Sequence, residues 1–167
     1  MENKYSVLKN NYIKNGDFNI VPIRFQDRYQ IMKWRNDQLY HLRQEKKLTI
    51  KEQDYYFNKV IKTLFEKNFP DQILFSFLRK EECLGYGGLV HIDWNNKNAE
   101  VSFVMNTLYE KKEFINFWSI FLSMIENIAF CQLNFNKIYV YSFDVRPKLY
   151  ELMKINQFFK EAKLIDH

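Results

Sequence analysis

Cysteine is scarce: Cys83 and Cys131 are the only two in 167 residues. They stand far apart and match no metal-ligand spacing, so they read as two reduced thiols and predict no metal site. Charge of one sign is not concentrated either. Lys and Arg (25) and Asp and Glu (20) are interspersed, and the net charge is only +5. Without a basic face or segment, a nucleic-acid interface is excluded, and the small positive excess points at most to an anionic small ligand. The N-terminus stays mostly polar through Asp17 and has no signal-peptide core. The longest apolar stretch, around 117–125, is short for a bilayer and is interrupted by Ser119 and Ser123. These absences predict a cytoplasmic chain with no membrane partner. Repeats, low-complexity tracts and linkers are also missing, so residues 1–167 read as a single domain, with 1–17 as a loosely ordered lead-in.

What is present is apolar and aromatic. Hydrophobic residues make up 47% of the chain, with 16 Phe and 11 Tyr, which excludes a disordered chain. Three of the four glycines fall at Gly85, Gly87 and Gly88. Glycine in strand-like sequence marks a bend or a close approach by a backbone or ligand. A hairpin follows, Leu89–Trp94 and Asn98–Met105, carrying His91, Asp93 and Glu100 among apolar residues. The remaining pattern predicts strands at 18–24, 72–78, 137–143 and 158–165. Helices are predicted at 26–36, 49–65 (with a Thr49–Glu52 capping box), 113–131 and 147–156. Adjacent strands mid-chain imply antiparallel hairpins, and the later strand–helix–strand alternation implies a parallel crossover. The fold class is α/β (α+β), a mixed and largely antiparallel sheet flanked by helices.

That element order resembles the GNAT acyl-CoA N-acetyltransferase fold. Trp34-Arg35-Asn36 closes the first helix and Arg43-Gln44 follows. This segment resembles the substrate-side half of amino-sugar N-acetyltransferases, and Ala99–Phe103 is similar to their acidic fourth strand. The ribosomal-protein N-acetyltransferases are a second branch of the same superfamily. The resemblance implies acetyl-CoA as co-substrate, its pantetheine arm bound along Phe103, Val104 and Met105. The family's glycine-rich pyrophosphate signature falls on the glycine-free stretch Tyr109–Trp118. There Asn116 and Trp118 occupy the approximate glycine positions, and Lys111 and Lys112 supply charge. Arg146 takes the place of a cofactor-contacting asparagine, and Tyr150 lies one turn from the family's general-acid tyrosine. The family's sheet has one more strand than the sequence supplies after residue 158. The resulting open edge favours a homodimer.

Acetyl transfer needs a base to take a proton from the acceptor ammonium, and Glu100 and His91 are the candidates. A two-residue turn at Asn95-Asn96 would place 91 opposite 100 on one face; a three-residue turn would separate them. Asp93 either orients His91 or caps the turn. Trp34, Arg35, Asn36, Arg43 and Gln44 form the candidate substrate side, suited to a sugar hydroxyl or nucleotide phosphate. The expected activity is N-acetylation of a small-molecule primary amine, an amino sugar or nucleotide amino sugar. Acetylation of a protein N-terminus is the alternative, and a GNAT-like binding or assembly module is the rival from another class.

Overall fold

The computed structural model describes residues 3–164. Six strands form one sheet in chain order: β1 (Ile13–Asn15), β2 (Phe18–Pro22), β3 (Ile73–Arg79), β4 (Glu82–Asp93), β5 (Asn98–Met105) and β6 (Lys137–Tyr139). The first four pairings are antiparallel, and β5–β6 is parallel. Between β2 and β3 lie α1 (Arg28–Asp37) and α2 (50–64), the latter capped by the Thr49–Glu52 box and passing through a π turn at Tyr56–Ile61. Between β5 and β6 runs α3 (Thr107–Glu126), continued by a π turn at Asn127–Gln132. Finally, α4 (Pro147–Ile155) starts on a proline, whose missing N–H costs nothing in a first turn.

The core lies where β3, β4 and β5 pack on α3. Phe77, Phe103, Phe117 and Phe121 interlock there, with Phe103 stacked on Phe121 at 4.1 Å. The run Thr107–Gln132 is long and apolar enough, by length and composition, to cross a bilayer. It exceeds the short apolar stretch seen in the sequence because its flanking polar residues are helical too. Phe114, Phe117, Trp118, Phe121, Leu122 and Ile125 are buried in the core, which accounts for its apolar character without a membrane.

The glycines serve close backbone packing. A Cβ on Gly87 would sit 2.1 Å from the Ser102 carbonyl oxygen, and one on Gly88 (φ +154°) 2.0 Å from that of Ile73. The two flanking strands therefore press on adjacent residues of β4, β5 on Gly87 and β3 on Gly88.

Four expectations need correction. The lead-in is not loose: Tyr5 and Leu8 are buried, the Tyr5 hydroxyl bridges the Leu74 amide and carbonyl at 2.9 Å each, and β1 pairs with β2. The long helix starts at Thr107 rather than 113, because Asn106 caps it and no glycine interrupts 107–113. The sixth strand stops at Tyr139, where the chain parts from β5. The expected last strand is absent over 158–164, while Ile165 lies outside the described residues. Beyond Phe158, which packs partly on the core, that segment is exposed throughout (Phe159 is 90% exposed) and is held by Lys137–Glu161 and Lys163–Asp144 ion pairs.

Candidate active site

Glu100 closes the β5–β6 pairing, opposite Tyr139. Beyond it the two chains diverge, and β5 has no strand partner on that side. The Ser102 carbonyl faces β4 against Gly87, and that of Val104 faces β4 against Gly85. Alternation along the strand therefore turns the backbone groups of Val101 and Phe103 toward the opening. A cleft of about 250 Å³ fills this splay, and Glu100, Phe103, Tyr141 and Arg146 are among its lining residues.

Glu100 is only 6% exposed. Burial raises its pKa above the ordinary carboxylate value, while Arg43, and less strongly His91, pull it back. Arg43 pairs with the Glu100 carboxylate, and its guanidinium lies 4.7 Å from the Tyr141 ring centroid. His91 reaches the same carboxylate at 3.8 Å by a route that neither considered turn foresaw. The hairpin closes through four residues, 94–97, and a bulge between Val90 and Asp93 places Val90, not His91, opposite Glu100. His91 occupies the bulge at φ +49°, and its side chain is 63% exposed. Asp93 does not orient it; its carboxylate accepts from the Asn96 amide and side chain, which caps the turn.

The Trp34–Gln44 constellation divides. Trp34 is buried at the end of α1 and does not line the cleft. Asn36 and Gln44 clamp the loop after α1: the Asn36 side chain bridges the Leu48 amide and carbonyl, and Gln44 accepts from Arg35 and donates to Asn36 and the Lys46 carbonyl. These amides are consumed by holding the loop that delivers Arg43. Only Arg35 and Arg43 of the five reach the cleft. Arg35 donates to Gln44 and, at 2.8 Å, to the Tyr86 hydroxyl.

Several expected cofactor residues lie elsewhere. Lys111, Lys112 and Asn116 are exposed positions inside α3, not a loop, and Asn116 is spent on Glu113. One residue, Asn106, joins β5 to α3, and its side chain caps the Leu108 amide. The Met105 carbonyl accepts from the buried Gln38 side chain, and that of Val104 faces β4, which leaves Phe103 facing the cleft. Arg146 does line the cleft, but it is paired with Glu110 at 2.7 Å and stacked on Phe114. Tyr150 lies outside the cleft: it is 41% exposed, and its hydroxyl donates to Asp144.

Sequence reasoning missed His41, Tyr56, Tyr86 and Tyr141. His41 is held neutral by its neighbours. Because the Gln38 amide nitrogen donates to Met105, the Gln38 oxygen must accept from His41 Nε2, and Nδ1 then faces the Arg146 guanidinium at 3.3 Å. Burial and the Arg146 charge hold its pKa at about 4. The Gln38–His41 spacing was a signal, hidden in a stretch that reads as a polar loop.

A family model of the acetyltransferase (GNAT) domain matches residues 20–160. The chain belongs to the GNAT acetyltransferase family. It is an acyl-CoA N-acetyltransferase with acetyl-CoA as co-substrate. Among solved structures, a GNAT fold similar to this one is spermidine N-acetyltransferase from Vibrio cholerae in complex with CoA and spermine (TM-score 0.79, 18% identity, covering 92% of this chain and 87% of that one). Another is the dodecameric spermidine N-acetyltransferase from Vibrio cholerae in an intermediate state (TM-score 0.73, 16% identity, 92% and 85% covered). No curated protein matches the sequence. Among the described residues, the GNAT chain fits an acyl-CoA arm beside β5: an extended amide chain can take the position that β6 vacates, opposite the Val101 carbonyl and the backbone groups of Phe103, which lie beyond the last pairing.

Proposed function

We propose that this acetyltransferase acts by direct attack of a small primary amine on the acetyl group, with Glu100 as the base. The carrying observation is a buried carboxylate at the apex of the β5–β6 splay, where an arm lying along β5 would present its reactive end. Acetyl-CoA supplies the activated acetyl group. Glu100 takes the proton that the acceptor ammonium must lose, and its raised pKa suits that transfer. Arg43 holds the carboxylate until the acceptor's ammonium competes for it. His91, exposed and 3.8 Å from the carboxylate, relays protons between Glu100 and solvent.

The acceptor we favour is an amino sugar, free or nucleotide-linked. The similar structures offer a second reading, a polyamine, since one of them is a complex with spermine. Against it stands the charge balance of the cleft: Arg43 is paired with Glu100 and Arg146 with Glu110, which leaves the Arg35 guanidinium uncompensated and no free carboxylate among the described residues of the lining. A polycation would meet repulsion there.

The test is acetyl transfer by purified protein to glucosamine, a UDP-linked amino sugar, a peptide N-terminus and spermidine. Turnover of the sugars with kcat/KM well above that of spermidine and peptide is expected. Preferential turnover of spermidine or peptide would remove the sugar reading. Glu100→Gln should lower kcat by roughly 100-fold or more; an unaltered rate and pH profile would remove Glu100 from the mechanism.

A further inference from the structure

The cleft holds a charge that the proposed chemistry does not use. Arg43 is neutralised by Glu100, and Arg146 by Glu110. Arg35 has only neutral partners, the Gln44 amide and the Tyr86 hydroxyl, and no carboxylate pairs with it among the described residues. Tyr56, on the π turn of α2, lines the same cleft together with Gln72, to which its hydroxyl donates at 3.3 Å. The backbone places these groups together deliberately. Arg35 comes from the last turn of α1, Tyr56 from the irregular turn of α2, and Tyr86 from between the glycines of β4. A half-buried guanidinium flanked by phenols, with no counter-ion of its own, is an arrangement for an anion.

We propose that Arg35, supported by Tyr86 and Tyr56, forms an anion subsite, and that the acceptor carries a carboxylate or phosphate in addition to its amine. The inference rests on the small-amine reading above and narrows it. Glu100 receives the ammonium and Arg35 the anion, two opposite charges lining one cleft, so the acceptor is read as a dipole and not as a cation. Arg35 is fixed for this task. Its Nε is held by Gln44, which Asn36 and the Lys46 carbonyl hold in turn, so little side-chain freedom is lost on binding. This also gives the Trp34–Gln44 segment a purpose beyond loop closure: its amides aim one arginine while its backbone delivers the other.

The experiment is calorimetric binding of matched amines to the protein saturated with CoA. The probes are glucosamine (neutral apart from its amine), glucosamine 6-phosphate, muramic acid, phosphoethanolamine and spermidine, each with wild type and Arg35→Gln. Expected is binding of an anionic amino sugar about tenfold tighter than glucosamine in wild type, with the preference collapsing in Arg35→Gln. The phosphate and carboxylate arms separate the two sources of the anion. Equal binding of neutral and anionic amines, a preference surviving in Arg35→Gln, or spermidine binding tightest would overturn the subsite. Phosphoethanolamine matching glucosamine 6-phosphate would keep the subsite and remove the sugar. Should Arg35→Gln fail to fold, competition in wild type decides. Inorganic phosphate should then compete with glucosamine 6-phosphate but not with CoA; no competition with the acceptor would overturn the proposal.

Discussion

At the residue scale, Glu100 shows how burial and pairing oppose each other. Burial lifts its pKa, and Arg43 is the largest influence pulling it down. Replacing Arg43 with Met should therefore raise the Glu100 pKa further and move the acid limb of the kcat/KM profile to higher pH. A profile that stays in place would separate Arg43 from Glu100 energetically. His41 makes the opposite statement through stability. Its folded pKa of about 4 lies below the ordinary 6.5, so the unfolded chain binds the proton more readily. The stabilisation is fully present above pH 6.5 and is lost as pH falls from there toward 4. Denaturant midpoints measured across that window should fall less steeply in His41→Gln than in wild type. Neither behaviour is legible in the sequence, because both depend on which charges the fold brings together: Arg43 lies 57 positions from Glu100, and Arg146 lies 105 from His41.

At the element scale, β4 carries the most constraint. Gly88→Ala would force a Cβ against the Ile73 carbonyl in a backbone conformation that side chains rarely adopt. A loss of about 3 kcal/mol in unfolding free energy is expected by denaturant titration; a loss under 0.5 would mean that the sheet yields there. Tyr5→Phe should cost about 1–3 kcal/mol by the same measurement, because it strips the buried Leu74 amide of its acceptor. The glycine cluster was readable as a place of close approach, and the approaching partner is backbone. The Thr49–Glu52 box, the first helix and the central hairpin were equally readable, since each is encoded by local pattern. The bulge at His91 was not. Period-two alternation fixes faces but not a one-residue slip, and that slip decides what faces Glu100. The helix start at Thr107 escaped for another reason: the resemblance called for a loop there, and only the residues' own freedom from breakers argued otherwise.

At the scale of the whole molecule, the splay between β5 and β6 is both the cleft and a gap in the ladder. The amide of Phe103 should exchange hydrogen faster than those of β3, and saturating CoA should slow it selectively. Slow exchange of this amide without CoA, or no change on adding it, would mean that the arm does not lie along β5. The general architecture was legible because strand order follows chain order, whereas the place where the last two strands part was not, since it depends on where pairing stops rather than on which residues favour it.

That strand order also bears on how the chain acquires its shape during synthesis. Three of the five pairings (β1–β2, β3–β4 and β4–β5) are hairpins closed by short connections, and such contacts form early because little loop entropy opposes them. The parallel pairing of β5 with β6 must wait for all of α3 to emerge. Glu100 sits at the end of that last pairing. A ribosome-bound chain would thus hold most of its sheet while Glu100 still lacked a wall on one side, so the cleft is completed in one late step, once β6 has emerged, and not gradually.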